Sequence, residues 1–395
     1  MKDKADFTLP VIIIGAGPAG LLLSRLLQLD GIQCINLERQ SQAHVEGRIR
    51  AGVLEEGTVN KLKEAACADR LLTEGQYHSG FDILFGNTRH RIDLKELTGS
   101  RVMVYGQTEV TKDLMSAVLD GGGEIVFEAE NVEIIENTDN GCKVSYMKDD
   151  ETYEIKSRFV AGCDGFWGPS RTSIPQANLT SYEKVFPFGW LGILSETKPV
   201  SHELIYANHE DGFALASMRS EQLSRYYVQV STDDDVQNWS DELFWETLKI
   251  RLGKECASQL ETGPSIEKSI AKLRSFVCEP MQYKSLFLAG DAAHIVPPTG
   301  AKGLNLAVGD IHYLHRGLVS YFKKNDENLL NSYSQTALNR VWKAVRFSWW
   351  FTQLTHQFDA TDINAQRLQQ AEFDYFLTSE SASKVIAENY IGLPY

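Results

Sequence analysis

The sequence predicts an α/β fold, in which a parallel βαβ layer is interrupted by an antiparallel sheet and followed by a helical C-terminal region. Three observations predict it. A β-branched run, Val11-Ile12-Ile13-Ile14, passes through Gly15-Ala16-Gly17-Pro18-Ala19-Gly20 into an apolar helix starting at Leu21, and Ile35-Asn36-Leu37-Glu38 ends a second apolar run about twenty residues later. From Val185 to Val230 strand patterns follow one another: Gly189 to Gly192, His202 to Asn208, Phe213 to Ser217 and Arg225 to Val230. Leu286-Phe287-Leu288-Ala289-Gly290-Asp291 then returns as a buried strand of the first layer, and the remainder is helical, with aromatic-rich stretches at 342–357 and 366–377.

The opening βαβ unit reads as Rossmann-like. Gly15 permits the tight turn, Gly17 lets a pyrophosphate approach the backbone, and Gly20 allows close packing of helix on strand, with Ala19 counted among the cofactor-binding residues. Glu38 is placed to accept from a ribose hydroxyl, and a diphosphate would sit on the helix N-terminus. Lys2 and Lys4 ahead of the apolar stretch suggest a secretory signal instead. Glycine and proline interrupt that stretch, however, and no small-residue cleavage site follows it. The expected location is therefore the cytoplasm.

Composition narrows the function classes. Of 395 residues 43% are hydrophobic, enough for a sizeable core. No apolar run reaches the roughly 18 residues of a membrane span. The 39 basic against 53 acidic residues leave a net charge of −14, which argues against nucleic acid or an anionic membrane surface as partner. Six scattered cysteines without a CxxC pair suit a reduced protein. Cations form small islands at Arg39, Arg48 and Arg50, at Arg219 and Arg225, at Arg274 and at Lys302. His202-Glu203 has Tyr206 where HExxH needs its second histidine, GxSxG is absent, and no metal is expected.

Between these landmarks, Arg48 to Gly52 reads as a loop, followed by an amphipathic helix carrying Leu54, Val59 and Leu62. Phe81 to Phe85 and Val102 to Tyr105 read as strands, the second leading through Gly106-Gln107 into a helix from Thr108 to Leu119. Short strands crowd residues 124 to 163 and end at Cys163-Asp164-Gly165. Pockets favour domain interfaces, so the chemistry is expected where residues 206–227 meet 291–305.

The glycine fingerprint, Cys163-Asp164-Gly165 and Leu288-Ala289-Gly290-Asp291-Ala292-Ala293-His294 occur in the order found in the FAD-dependent aromatic hydroxylases, and the chain resembles that family. The likeness extends through Arg48-Ile49-Arg50-Ala51-Gly52-Val53, Tyr105-Gly106-Gln107-Thr108, Ser201 to His209, Ser224 to Val230 and Val296-Pro297-Pro298-Thr299-Gly300-Ala301-Lys302-Gly303-Leu304-Asn305, to Ala387 through Tyr395. It implies FAD as cofactor, held by the fingerprint, Arg39, Arg48, Arg50, Ala51, Gly52, Val53, Gln107, Asp164, Gly165, Asp291, Leu304 and Asn305. It implies NADPH or NADH as co-substrate, O2 and a small aromatic acid as reactants, and a homodimer. It divides the chain into FAD-binding segments 1–73, 99–180 and 269–345, substrate-domain segments 74–98 and 181–268, and a helical region 346–395.

The implied activity is hydroxylation of 4-hydroxybenzoate to 3,4-dihydroxybenzoate. A related para-substituted acid such as 4-aminobenzoate and a non-catalytic FAD-binding protein are the alternatives. A benzoate carboxylate asks for a planar donor fork, for which Arg219 is the first candidate, with Ser217 on the same strand face and Tyr227 on the next strand. Arg225 is a rival fork or a structural ion-pair residue. The phenol, with an ordinary pKa of about 10, has to be ionised. The resemblance gives that work to Tyr206, relaying the proton through Tyr390 towards His78. Pro298 would stand beside the substrate hydroxyl, its φ fixed and its carbonyl free to accept, next to Thr299. No second GxGxxG exists for the nicotinamide nucleotide, so it is expected in a groove lined by Arg39, His44, Arg50 and Arg274. Trp167 stands where the best-known members carry histidine, and Gln42-Ala43-His44 replaces a segment that usually includes tyrosine.

Overall fold

The computed structural model describes residues 9–48, 52–86, 88–359 and 361–395. Arg50 and Ala51 lie outside them. The run Val11 to Ile14 forms the strand Leu9–Ile14, which is paired on both sides and covered on both faces, so its inner residues are at most 2% exposed. It sits between Cys34–Leu37 and Glu151–Gly162, and Glu124–Val126 and Leu286–Leu288 extend the sheet outward, all parallel. Such strands read as continuous apolar runs because neither face meets water. The far end of Glu151–Gly162 leaves this layer and pairs antiparallel with Gly141–Lys148, which in turn pairs with Glu130–Thr138.

The second sheet has eight strands, ordered His294–Ile295, Ser265–Glu279, Thr180–Ser195, Leu223–Ser231, Ala214–Ser220, Ile205–Ala207, Gly80–Phe85 and Thr88–Asp93. It is antiparallel as expected except at one seam. Ile205–Ala207 runs parallel to Gly80–Phe85, because the latter arrives from a distant part of the chain and not through a hairpin. One face of the sheet packs on Phe244, Trp245 and Leu248 of the helix Asp241–Gln259. The other packs on Phe347, Phe351, Ile386 and Tyr390 of the C-terminal helices.

Two expectations need correcting. Leu54 belongs to a short strand, Val53–Leu54, paired with Met103, and the helix Glu56–Glu64 starts after it. The expected boundary at 268/269 cuts through the strand Ser265–Glu279, which keeps pairing with Thr180–Ser195 on both sides of that point. Its first half, Ser-Ile-Glu-Lys-Ser-Ile-Ala-Lys, is largely solvent-facing and so lacks the apolar run by which buried strands are recognised.

Candidate active site

A cavity of about 940 Å³ runs from the glycine turn to the start of the helix Gly303–Lys324. Gly15, at φ +104°, makes the turn, and a Cβ there would lie 2.4 Å from the carbonyl oxygen of Cys163. A Cβ on Gly20 would lie 2.2 Å from the carbonyl of Gly15, which is the close packing that the third glycine permits. Gly17 has open space before it and lines the cavity with Gly15 and Ala19. Glu38 also lines it, its carboxylate accepting from the backbone N–H of Ala16 at 2.7 Å and of Gln40 at 2.8 Å, which holds the acid beside the turn.

Further along, Arg39, His44 and Arg48, then Val53 and Gln107, and Asp164 with Gly165 contribute to the same wall. Asp164 accepts from the Ser170 N–H at 2.8 Å through Oδ2, while its Oδ1 is buried without a partner and burial raises its pKa. An orphaned carboxylate oxygen costs free energy unless a donor arrives, so the wall is built to meet one. Asp291, Pro298 and Leu304 complete the far end. Trp167 lies on the rim and is 81% exposed. An elongated, glycine-floored cavity with unsatisfied polar groups fits a dinucleotide such as FAD.

Several of the expected residues serve otherwise. A Cβ on Gly52 would strike the Tyr105 carbonyl, so this residue packs against backbone and is not among those lining the cavity. The Asn305 side chain is fully engaged: it accepts from Glu55 N and Thr58 Oγ1, and donates to Val53 O and Ala301 O. It can serve a ligand only through its backbone in the first helical turn. Arg274 lies behind the rim, with its guanidinium 3.6 Å above the Phe166 ring and 3.6 Å from Glu183.

Residues that no motif points to also shape the cavity. Asp310, 2% exposed in the helix Gly303–Lys324, accepts from Gly290 N at 2.8 Å and pairs with His294 at 2.6 Å, fixing the Gly-Asp turn. Its signal in the sequence is an acid in an otherwise apolar helical stretch.

The second sheet supplies the other wall. Tyr206 pairs with Leu215, Leu215 with Tyr227, and Ser217 with Arg225, so these residues share one face, and Arg219, at the irregularity between Met218 and Ser220, reaches the Tyr227 side chain. The two arginines differ sharply. Arg225 forks onto the Glu267 carboxylate through both terminal nitrogens, which settles the ion-pair alternative for it. Arg219 has no carboxylate partner among the described residues; its Nη1 is buried and unbonded, and burial lowers its pKa. Tyr206 and Tyr390 are buried with hydroxyls 2.9 Å apart, and Tyr206 donates to the Thr299 carbonyl at 3.1 Å. Burial raises the pKa of both tyrosines, so they stay neutral and keep their O–H protons for hydrogen bonding.

The carbonyl of Pro298 already accepts from Ala301 N, closing a tight turn, and has one lone pair left for a further donor. The Thr299 hydroxyl is taken up by Thr352 Oγ1 at 2.8 Å. His78 is 2% exposed, neither ring nitrogen has a partner, and burial lowers its pKa to about 4. No hydrogen bond joins it to either tyrosine. It lines a separate charged pocket of about 330 Å³ with Arg89, Arg91 and Glu203.

This geometry agrees with the known proteins that the chain resembles. Residues 8–348 match the family model described as FAD binding domain. Over 386 residues the chain is 52% identical to p-hydroxybenzoate hydroxylase of Acinetobacter baylyi, covering 98% of this chain and 95% of that protein. The chain belongs to the FAD-dependent aromatic hydroxylases. At lower identity the chain is similar to rifampicin monooxygenase of Rhodococcus hoagii, 23% identical over 76% of this chain and 61% of that protein. The fold is shared with p-nitrophenol 4-monooxygenase of Pseudomonas putida, at a TM-score of 0.83 and 18% identity, covering 99% of this chain and 100% of that one. FAD is the hydroxylases' cofactor and NAD(P)H their reductant. No helix among the described residues is long and apolar enough to cross a membrane.

Proposed function

We propose that this protein hydroxylates 4-hydroxybenzoate at the ring carbon next to its hydroxyl, giving 3,4-dihydroxybenzoate with O2 and NAD(P)H. The observation that carries the reading is the Arg219 side chain, whose buried Nη1 lacks a partner, beside Tyr227 on the sheet that also carries the Tyr206 end of the Tyr206–Tyr390 hydroxyl pair. A cation and a hydroxyl relay at two ends of one apolar wall suit a ligand with a carboxylate at one end and a phenol at the other.

In this reading Arg219 grips the carboxylate bidentately, assisted by Ser217 and Tyr227. Tyr206 turns its O–H from the Thr299 carbonyl to the ligand oxygen and stabilises it as phenolate, in a setting where water does not compete. The displaced proton passes to Tyr390, since a neutral tyrosine accepts with one lone pair while donating its own proton. His78 takes it onward to solvent once water bridges the gap. Pro298 and Thr299 wall the reacting edge. Bound FAD, reduced by NAD(P)H, supplies the oxygen-activating chemistry. Gly15, Gly17, Ala19, Gly20, Glu38, Arg48, Gln107, Asp164, Gly165, Asp291, Leu304 and the Asn305 backbone would hold it, together with Arg50, Ala51 and Val53. Arg39, His44 and Arg50 would receive the nicotinamide nucleotide, with Arg274 supporting Phe166 behind the rim. A cytoplasmic homodimer is part of the same proposal, supported by Ile363, Leu368 and Tyr375, which the helix Ile363–Thr378 exposes to solvent.

Purified protein should consume NAD(P)H rapidly only when 4-hydroxybenzoate is present, with a product 16 mass units heavier by mass spectrometry, since one oxygen atom is added. Indifference to this acid, or preference for 4-aminobenzoate, overturns the substrate assignment.

A further inference from the structure

We propose that Arg340 is a positioning residue for the tyrosine pair: by clamping the segment Gly392–Tyr395 it holds the Tyr390 hydroxyl in register with that of Tyr206. This inference rests on the proposed role of these tyrosines in ionising the ligand.

The helix Glu380–Ile391 carries Tyr390 in its last turn and ends at Gly392, where φ +97° turns the chain sharply. The turn lies against Glu55, whose Oε2 would be 2.0 Å from a Cβ at that glycine. Glu55 is buried and takes two cations. Lys302 Nζ donates to its Oε1 at 2.6 Å and to the Tyr390 carbonyl at 2.9 Å, while Arg340 Nη2 donates to its Oε2 at 2.9 Å. The other arm of the Arg340 fork, Nη1, donates to the carbonyls of Leu393 and, at 3.2 Å, of Pro394. The Tyr395 ring lies 4.7 Å from the guanidinium carbon and stacks at 4.6 Å on His312.

Arg340 thus ties a buried carboxylate, a helix end and the chain beyond it with one rigid, planar group, which a single-point cation cannot reproduce. The distance it guards is short. Tyr206 and Tyr390 are 2.9 Å apart, and an O–H···O contact ceases to be a hydrogen bond within about 0.6 Å of further separation. Replacing Arg340 by methionine leaves Glu55 paired with Lys302 as a neutral couple, so the fold has no uncompensated buried charge to reject.

The test measures the FAD-loaded full chain with two probes: 4-hydroxybenzoate, whose ionisation is followed by near-ultraviolet absorbance across pH, and benzoate, which has the carboxylate but no hydroxyl. Arg340→Met and a chain lacking residues 393–395 should each raise the pKa of the bound phenol by about one unit, leaving about tenfold less phenolate at neutral pH. Benzoate affinity should be unchanged, and Arg340→Lys should fall between. Combining Arg340→Met with the deletion should add nothing further, because both release the same segment. A bound phenol that ionises as in the wild type, or a parallel loss of benzoate affinity, overturns the clamp. If the wild-type protein itself ionises no ligand, the functional reading fails and the clamp fails with it.

Discussion

The two walls of the site are made of different material. The nucleotide wall is largely backbone: a turn of glycines supplied by one βαβ unit, the acids Glu38, Asp164 and Asp291, and the first turn of the helix Gly303–Lys324. The ligand wall is side chain, assembled across the strands Ile205–Ala207, Ala214–Ser220 and Leu223–Ser231 and capped by Tyr390 from the helix Glu380–Ile391. A backbone wall tolerates only the residues whose shape it needs. A side-chain wall keeps its shape under substitution and loses chemistry instead. Mutations should therefore separate the two by phenotype.

The largest effect is expected on the ligand wall. Tyr206→Phe removes one hydroxyl and should slow hydroxylation by about 10²–10³-fold, with FAD retention unchanged; if product per NAD(P)H stays at the wild-type level, the tyrosine does not act on the phenol. Arg219→Ala should weaken 4-hydroxybenzoate binding by about 3 kcal/mol while leaving phenol, which has no carboxylate, unaffected in the same titration. On the backbone wall, Gly20→Ala sets a methyl against the Gly15 carbonyl and should cost about 1–3 kcal/mol of stability and loosen FAD, both visible in thermal unfolding with and without the flavin. Arg225→Met sharpens the contrast between the two guanidinia: its partner Glu267 is 30% exposed and can be solvated, so a loss of about 1 kcal/mol by urea unfolding is expected, with ligand affinity retained.

The smallest effect is a pH dependence. Burial lowers the pKa of His78 from 6.5 to about 4, so on acidification the unfolded chain takes that proton first. Its contribution to stability is complete above about pH 6.5 and declines as the pH falls towards 4. His78→Gln should flatten that limb of the urea-unfolding profile, and an unaltered limb would show that the imidazole is not held neutral.

The same contrast decides what could be read in the sequence. Gly15, Gly17, Gly20 and Glu38 fall within one short stretch at spacings imposed by the turn, so the nucleotide wall was legible there, apart from Asn305, whose bonds to Val53 and Glu55 no local pattern announces. On the ligand wall, alternation along one strand suggested that Ser217 and Arg219 lie together, but it does not announce the irregularity between Met218 and Ser220, an isolated tyrosine carries no periodic signal, and Tyr206 and Tyr390 meet across 184 positions. Only the family likeness singled them out. Arg219 and Arg225 look alike as residues; what separates them is Glu267, which lies on the strand Ser265–Glu279, itself unrecognised because half of it faces solvent. The parallel seam between Ile205–Ala207 and Gly80–Phe85 was hidden for a related reason, since its direction depends on where the chain has been and not on the residues in it.

That seam has a consequence for anyone wishing to retarget the enzyme. The ligand-facing sheet is knitted from residues 80–93, 180–279 and 294–295, with the intervening chain threading the neighbouring layer. Transplanting only the central stretch from a homologue would leave its outermost hydrogen-bonding edge stitched to a foreign hairpin, so new specificity has to be carried in by several cuts made together.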